Sequence, residues 1–391
     1  MKSAVIVEAV RTPVGKGKPG GALSGIHPVD LLAGVIEALL SRAGIDPASV
    51  DDVIAGCVQQ VGDQASNIAR NAGLAAGLPE SVPGTSINRQ CGSSQQAAHF
   101  AAQGVIAGAY DVVIACGVES MSRVPLGSSG AADRGERLAA RYPAGLVNQG
   151  VAAELVAQRW KLDRDALDAY SARSHQLAGT AIAAGMFESE LVPVTAAGGA
   201  PHTVDETVRP ATTAEKLAGL APSFRTEELV ARFPELNWVI TPGNSSPLTD
   251  GASAVLIMSE ERAGQLGLRA RARFHTFAVV GDDPLLMLTG PIPATRRVLE
   301  KAGLSIDDID VYEVNEAFAP VPLAWARDLG ADPAKLNPRG GAIALGHALG
   351  SSGTRLLTTM VNYLEATGGR YGLQTMCEAG GMANATIIER L

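Results

Sequence analysis

The hydrophobic and polar positions of this chain follow two periods along most of its length. Continuous apolar runs such as 112–116 are typical of buried strands, whereas 29–43 carries apolar residues three and four positions apart, which predicts an amphipathic helix. Such strands and helices alternate along the sequence. The pattern therefore predicts an α/β protein with a mostly parallel sheet that is covered on both faces.

The order of predicted elements is repeated in the second part of the chain. The loop, helix and strand around 88–116 correspond to those around 340–377, which aligns Cys91 with His347 to within a few residues. A duplication of this length predicts two similar α/β halves packed face to face. We expect an N-terminal half (1–120 with 249–268), an inserted loop subdomain that covers a cleft (121–248), and a C-terminal half (269–391).

Composition excludes several classes of function. The 32 Lys and Arg residues against 40 Asp and Glu residues give a net charge of −8, which argues against nucleic acid as the main partner. The N-terminus has no signal-peptide pattern, and no window reaches the length of a membrane span. Four cysteines without paired spacing favour reduced thiols. We therefore expect a cytoplasmic protein that binds no membrane.

The stretch 87–96 is predicted to run as an extended segment, a tight turn and the start of a helix, with Cys91 at the turn. A thiol beside the positive end of a helix has a lowered pKa and free backbone N–H groups nearby. Gly92 has no Cβ and would allow a substrate to approach the backbone. From this stretch alone, a nucleophile and an inert buried cysteine are equal alternatives, because free cysteines are often buried.

Three further residues complete a candidate constellation. If the two halves pack as predicted, His347 faces Cys91 across one cleft, and a thiol with an imidazole can form an acyl-thioester. Cys377 precedes two glycines and could move a proton, or it could be a packed cysteine at a strand end. Asn315 could hold an oxyanion or cap a helix. No paired Cys/His spacing occurs, so the sequence predicts no metal site.

Four motifs in this order resemble those of the thiolase family over essentially the whole chain. They are the stretch around Cys91, Asn315-Glu316-Ala317-Phe318, the run 337–347 ending at His347, and Cys377 with its glycines. The resemblance implies duplicated halves in an α-β-α-β-α layering. It also implies acyl transfer between a 3-ketoacyl-CoA and CoA, no permanently bound cofactor, and a homodimer or homotetramer.

The resemblance also implies roles for individual residues. Cys91 would take the acyl group, and His347 would accept the thiol proton and help to bind the thioester oxygen. Asn315 would hold a water that completes this first oxyanion site. Cys377 would protonate or deprotonate the α-carbon of acetyl-CoA. The N–H groups of Cys91 and Ala379 would form a second oxyanion site.

Other positions match the family's substrate contacts. Ser246 would bond the pantetheine of CoA, and Met287 and Phe318 would lie along the acyl pocket or pantetheine channel. Where short-chain biosynthetic members carry a His-Met pair, this chain has Asn148 and Gln149. This difference favours a longer or bulkier acyl chain, as in bacterial degradative members, including those that act on steroid-derived CoA esters.

Two departures from the family pattern concern loops. Ala348 replaces a usual proline, and Ala379 replaces a usual glycine, whose N–H alone is needed.

Three alternatives remain: a biosynthetic acetoacetyl-CoA-forming enzyme, a ketosynthase of the same superfamily, and a catalytically silent acyl-CoA-binding protein. Ketosynthases lack a second cysteine at the place of Cys377, and the retention of all four motifs disfavours a silent protein.

Overall fold

The computed structural model describes residues 2–130, 135–196 and 199–391, so parts of the predicted inserted subdomain lie outside the described residues. The strands are β1 (Ala4–Arg11), β2 (Gly15–Lys16), β3 (Asp52–Gly56), β4 (Gly84–Ile87), β5 (Val112–Ser120), β6 (Val194–Thr195), β7 (Pro201–His202), β8 (Thr249–Ser259), β9 (Ala272–Gly281), β10 (Val311–Val314), β11 (Tyr371–Glu378) and β12 (Met382–Arg390).

The helices begin and end where capping residues and glycines stand in the sequence. For example, α1 starts after His27, whose side chain accepts a hydrogen bond from the N–H of Val29, and ends at Gly44 in the left-handed conformation. The helices are α1 (Pro28–Ala43), α2 (Ile68–Ala75), α3 (Ser93–Ala107), α4 (Glu136–Arg141), α5 (Gln149–Arg159), α6 (Arg164–Ala183), α7 (Ala214–Ala218), α8 (Glu227–Arg232), α9 (Glu260–Gln265), α10 (Pro291–Ala302), α11 (Pro320–Leu329), α12 (Ala342–Leu345) and α13 (Ser352–Thr367).

One continuous sheet runs through both halves, in the order β10-β11-β12-β9-β1-β8-β5-β3-β4, with β2 paired to β8. Counted outward from the short β1–β9 contact, the strands of each half pair with the same sequence of relative directions. The series β1, β8, β5 is antiparallel and β3 joins β5 in parallel; the series β9, β12, β11 is antiparallel and β10 joins β11 in parallel. The predicted duplication of the α/β halves is confirmed.

The predicted dominance of parallel pairing is wrong. Parallel pairing is confined to β3–β4, β3–β5 and β10–β11 within the described sheet. The reason lies in two returning strands. After the excursion through 121–248, β8 enters between β1 and β5 and runs opposite to both, and β12 forms the same antiparallel insertion between β11 and β9.

The halves are stacked in five layers. Helices α1 and α2 cover the outer face of the first half, and α10 and α11 cover that of the second. Between the two halves of the sheet lie α3 and α13, which share one apolar cluster with strands of both halves. The two helices approach closely, since a Cβ at Gly353 would come within 2.0 Å of the backbone N of Gln95. The loops that precede these two helices therefore meet in the centre of the molecule.

The region 121–248 contributes α4 to α8 and the short β6–β7 hairpin in its described parts. Buried Arg11 fastens it to the first half through ion pairs with Glu190 at 2.5 Å and Asp205 at 2.8 Å. The exact boundaries of the predicted subdomain remain a prediction. Along the described chain, no helix is both long enough and apolar enough to span a bilayer.

Candidate active site

The elbow that carries Cys91 is held by local hydrogen bonds. Gln90 adopts the left-handed conformation, with φ of +50°, and its N–H donates to Oδ1 of Asn88 at 2.8 Å. The N–H of Arg89 donates to Oγ of Ser93 at 3.0 Å, and that hydroxyl donates to the carbonyl of Gln90 at 2.6 Å. These bonds fix the turn, so that Cys91 lies buried immediately before α3.

Gly92 has a different neighbour from the one we expected. A Cβ at this position would lie 1.9 Å from Oε1 of Glu378, so any larger residue would have to displace that carboxyl group. The sequence predicted that a substrate would use this open approach. The carboxyl group of Glu378 occupies it instead.

The expected lowering of the Cys91 pKa is also wrong for the ligand-free protein. Burial, followed by the negative charge of Glu378, raises the pKa of Cys91 to about 12. The side chain of Gln149 and the N–H groups of Cys91 and Ala379 act in the opposite direction because they hydrogen-bond the sulfur. Cys91 is therefore a neutral thiol in the resting site, with three donors already directed at its sulfur.

His347 lies between α12 and α13 and is held through both ring nitrogens. Its Nδ1 lies 2.6 Å from Oγ of Ser352, and its Nε2 lies 3.3 Å from Nδ2 of Asn315. The Ser352 hydroxyl donates to the carbonyl of Ala348 at 2.9 Å, so it accepts from the imidazole, and the proton of the neutral ring is assigned to Nδ1. The lone pair of Nε2 is then the available base.

The imidazole is kept neutral by its surroundings. Burial, followed by the positive charge of Arg355, lowers the pKa of His347 to about 3. The loop around it is tight, since a Cβ at Gly346 would come within 2.5 Å of the Thr249 side chain. A neutral imidazole with an unprotonated Nε2 can accept a proton near neutral pH.

Cys377 stands one residue before the end of β11 and is buried. Burial, followed by the charges of Cys91 and Glu378, raises its pKa well above the usual value. The two predicted cysteines therefore lie within electrostatic reach of each other. Ala379 follows with a negative φ, whereas Gly380 and Gly381 are left-handed, so alanine is accommodated at this position without strain.

One apolar cluster joins the three predicted motifs. Cys91 shares it with Leu349, two residues after His347, and with Met376, which precedes Cys377. Asn315 contributes its amide to His347, while its own Oδ1 is buried without a partner in the described structure. The residues that the sequence placed in one site are thus brought together from two halves.

A cavity of about 630 Å³ opens over Cys91 and is covered by the region 121–248. The predicted residues that line it are Cys91, Asn148, Gln149, Phe318 and Ala379, and apolar walls are added by Leu126, Phe224 and Leu349.

The other substrate-contact predictions fall in different places. Asn148 also caps α5, accepting from the N–H of Val151 at 3.0 Å. Ser246 lies close to the motif around Asn315, since its N–H donates to the carbonyl of Ala317 at 3.0 Å. Neither Ser246 nor Met287, which is buried in the core of the second half, lines the described cavity. Their roles stay predictions.

Sequence reasoning missed two buried glutamates that assemble the site. Glu316 accepts hydrogen bonds from Tyr170 at 2.8 Å and Ser174 at 2.7 Å on the covering helix α6, and from the N–H of Ile343 at 3.1 Å before the histidine. It ties the cover to the His347 loop. Its place in the motif with Asn315 was the signal that could have revealed this role.

The second missed glutamate is Glu119 near the end of β5. Its carboxylate accepts from the N–H groups of Val58 and Gln59 at 3.0 Å each, and from that of Gly350 at 2.9 Å. It therefore joins the cavity wall of the first half to the histidine loop of the second. An acidic residue that ends a continuous apolar strand was the available signal.

Comparison with known proteins decides the family. A family model for the thiolase N-terminal domain matches residues 4–261, and a model for the thiolase C-terminal domain matches 268–390. The chain belongs to the thiolase family. The fold and the resemblance predicted from the four motifs are confirmed.

Relatives of this thiolase cover the whole chain. It is 51% identical to the steroid 3-ketoacyl-CoA thiolase FadA6 of Mycobacterium tuberculosis, over all of this chain and 95% of that protein. It is 45% identical to a 3-ketoacyl-CoA thiolase of Serratia proteamaculans, over the full length of both. The human mitochondrial 3-ketoacyl-CoA thiolase in complex with CoA has a TM-score of 0.88 at 36% identity, covering 100% of this chain and 98% of that one.

A solved structure that is named for a different activity is equally similar in fold. The acetyl-CoA acetyltransferase of Bacillus anthracis has a TM-score of 0.90 at 37% identity, covering 100% of this chain and 99% of that one. The fold therefore establishes an acyltransferase of the thiolase family without separating these two activities.

Proposed function

We propose that this thiolase is a degradative enzyme that cleaves a 3-ketoacyl-CoA with CoA, through an acyl group carried on Cys91. The observation that supports this most is that Cys91 lines the cavity and shares one apolar cluster with Leu349 and Met376, which are neighbours in the chain of the neutral imidazole His347 and of the second thiol Cys377. The three relatives above whose names include 3-ketoacyl-CoA thiolase support the same direction of reaction.

In the first half-reaction, the sulfur of Cys91 attacks the 3-keto carbon while its proton passes to Nε2 of His347. The bond between the α- and β-carbons then breaks, leaving the acyl group on the sulfur. The electron pair goes to the α-carbon as the enolate of acetyl-CoA, which takes the proton of Cys377. Asn315 with a bound water, together with His347, stabilises the thioester oxygen. Each oxyanion donor is worth ~3–4 kcal/mol of barrier.

In the second half-reaction, the thiol of CoA attacks the acyl carbon on Cys91. The proton of CoA passes to the Cys377 thiolate, and the returning Cys91 sulfur regains its proton from His347. The N–H groups of Cys91 and Ala379, which point to the Cys91 sulfur in the resting site, form the second oxyanion site. Atoms and charges balance over the cycle, and no permanently bound cofactor takes part.

The substrate would be held along the cavity and its entrance. Ser246 bonds the pantetheine, and Met287 and Phe318 border the acyl or pantetheine path. Asn148 and Gln149 replace a bulkier pair, and Gln149 reaches the Cys91 sulfur. The apolar walls and the volume of about 630 Å³ favour a bulky, steroid-type acyl group over a two-carbon one.

The test is a panel of 3-ketoacyl-CoA esters from acetoacetyl-CoA to a polycyclic ester, assayed for CoA-dependent release of acetyl-CoA. We expect kcat/KM to rise with acyl bulk. A maximum at acetoacetyl-CoA would instead identify an acetyl-CoA acetyltransferase. We expect Cys91→Ser to lose on the order of 10⁴-fold or more of turnover. Cys116→Ala, in the buried middle of β5, is the matched control and should keep it.

Assembly and location complete the proposal. We propose a homodimer or homotetramer that works in the cytoplasm, as the family resemblance and the four unpaired cysteines favour. Light scattering after size-exclusion chromatography distinguishes the two assemblies, and fractionation of the native source tests the compartment.

A further inference from the structure

Glu378 is a buried carboxyl group that the proposed reaction leaves unexplained. It ends β11 between Cys377 and Ala379 and is fully buried. Neither of its oxygens makes a hydrogen bond of ordinary geometry with the described residues. An ionised carboxylate without partners is costly to bury, and native proteins seldom retain one without a purpose.

Two nearby glutamates show how the same fold treats carboxylates that serve only its structure. Glu119 accepts four hydrogen bonds, three of them from backbone N–H groups. Glu316 likewise accepts four. Both carboxyl groups therefore have hydrogen-bond partners for their oxygens. Glu378 is equally buried and lacks that cage, so its surroundings favour the neutral acid.

The carboxyl group of Glu378 lies beside the elbow that carries Cys91 and next to Cys377 in the chain. Its Oε1 packs directly against the backbone of Gly92, at a place where a Cβ on that residue would lie 1.9 Å away. Its charge acts on Cys91 from the elbow and on Cys377 from its own strand. Arg89, just before the elbow, is the cation that faces it. Strand β12 brings no ionisable side chain that acts on it, only the backbone of Asn384.

We propose that Glu378 is a positioning residue of this site, whose carboxyl group must be neutral for Cys91 or Cys377 to carry a negative charge at low cost. As the neutral acid, the carboxyl group fills the space against Gly92 and adds no negative charge beside the thiolates. As the anion it adds a like charge beside both sulfurs. The proposal rests on the proposed role of Cys91 as the reactive thiol.

The sign of the effect follows from the environment. Burial raises the pKa of Glu378 to about 8, with Arg89 opposing. Below that pH the group is neutral, and thiolate formation at Cys91 is unaffected by it. Above that pH it ionises by releasing its proton to solvent, and the nearby like charge raises the thiol pKa by about one unit or more.

The experiment is the rate of Cys91 alkylation by iodoacetamide in the full-length protein from pH 6 to 10, with the labelled residue identified by mass spectrometry. In the wild type, the logarithm of the rate should rise with pH, flatten near pH 8 and then rise again. Glu378→Gln keeps the shape without the charge and should remove the flattening. The alkylation rate of this variant should equal that of the wild type at pH 6.5 and should be about tenfold higher than that of the wild type at pH 9.5.

Two further variants test whether the flattened region comes from the charge of Glu378. Glu378→Asp keeps the charge and should keep a flattened region. Glu313→Gln removes another buried carboxyl group without hydrogen-bond partners, one that faces Arg355 rather than the thiols, and should leave the profile unchanged. The wild-type profile itself needs no variant, so a folding defect in Glu378→Gln does not remove the test.

The outcomes separate this inference from the proposed function. Superimposable profiles for wild type and Glu378→Gln, or the same change in Glu313→Gln, overturn the role of Glu378. Labelling that avoids Cys91 in the wild type overturns the proposed nucleophile instead. Labelling of Cys91 with a shoulder near pH 8 that only the Glu378→Gln variant loses supports both.

Discussion

The loops that precede α3 and α13 hold equivalent positions in the two halves, yet they are stabilised differently. The first loop is fixed by bonds within a few residues, and its helix begins at Gly92 without a side-chain cap. The second is fixed through the functional side chain itself, because His347 bonds Ser352 on one side and Asn315 on the other. The two matching positions therefore carry different chemical groups, each held in a different way.

Electrostatics makes the same two loops alike in one respect. Burial raises the pKa of Cys91 to about 12 and lowers that of His347 to about 3. The resting pair is therefore a neutral thiol and a neutral imidazole rather than an ion pair. We expect a proton to move between them when a bound thioester places its developing oxyanion among the hydrogen-bond donors of the site, so the thiol should be most reactive in the loaded enzyme.

After the loss of the Cys91 thiol itself, the largest expected effect comes from removing the base of the second loop. His347→Ala should lower kcat for thiolysis by about 10³-fold, since general-base catalysis is worth 10² to 10⁴. His275→Ala, an exposed histidine on β9, is the control and should stay within twofold of wild type. Turnover of His347→Ala at the level of the control would contradict the proton transfer.

The acid sensitivity of the fold extends the comparison, because one buried histidine lies on α3 and another lies in the loop before α13. Burial lowers the pKa values of His99 on α3 and His347 to about 3 each. Below about pH 6.5 the unfolded chain binds a proton at each of these histidines, whereas the folded protein does not. The free energy of unfolding therefore has its full value above that pH and falls towards pH 3, by about 1.4 kcal/mol per pH unit for each histidine.

The corresponding measurement is urea unfolding at pH 7 and pH 5. Between these values, His99→Gln should lose about 2 kcal/mol less stability than the wild type, because the one proton bound by unfolded His99 is absent. An equal loss in both proteins would show that His99 is not held neutral in the fold.

A smaller effect is expected from the hydroxyl that orients the imidazole. Ser352→Ala removes the acceptor for the Nδ1 proton, so the ring loses its fixed tautomer and kcat should fall about tenfold. KM should change little, since Ser352 does not line the cavity. Ser352→Thr retains the hydroxyl and should recover much of kcat; a fall in both variants through a higher KM would refute an orienting role.

The smallest effect concerns the departure at Ala348. Its φ is −70°, close to the angle that a proline ring imposes, and its carbonyl begins the short turn Leu349–Ser351. Ala348→Pro should therefore raise the free energy of unfolding by about 0.5 kcal/mol through the unfolded chain. Ala348→Gly should lower it; a destabilised proline variant would show that the ring collides with the loop.

Much of the fold was predictable because local patterns report on local structure. The apolar stripe of α1 was predicted from its spacing, and the histidine cap and terminal glycine of this helix lie within the same segment. The antiparallel insertion of β8 was not, because its neighbours β1 and β5 lie more than a hundred residues earlier along the chain. Which strands meet is decided by how the whole sheet assembles.

The same division applies to the site. The sequence by itself determined the kinds of reacting group, their order and the loop before each helix, since glycines and small residues constrain the backbone where they stand. Only the tertiary structure decided the charge states and partners: the raised pKa of Cys91, the tautomer of His347 and the contact of Glu378 with Gly92. These depend on burial and on groups from the other half of the molecule, because solvation and charge interactions act through space rather than along the chain.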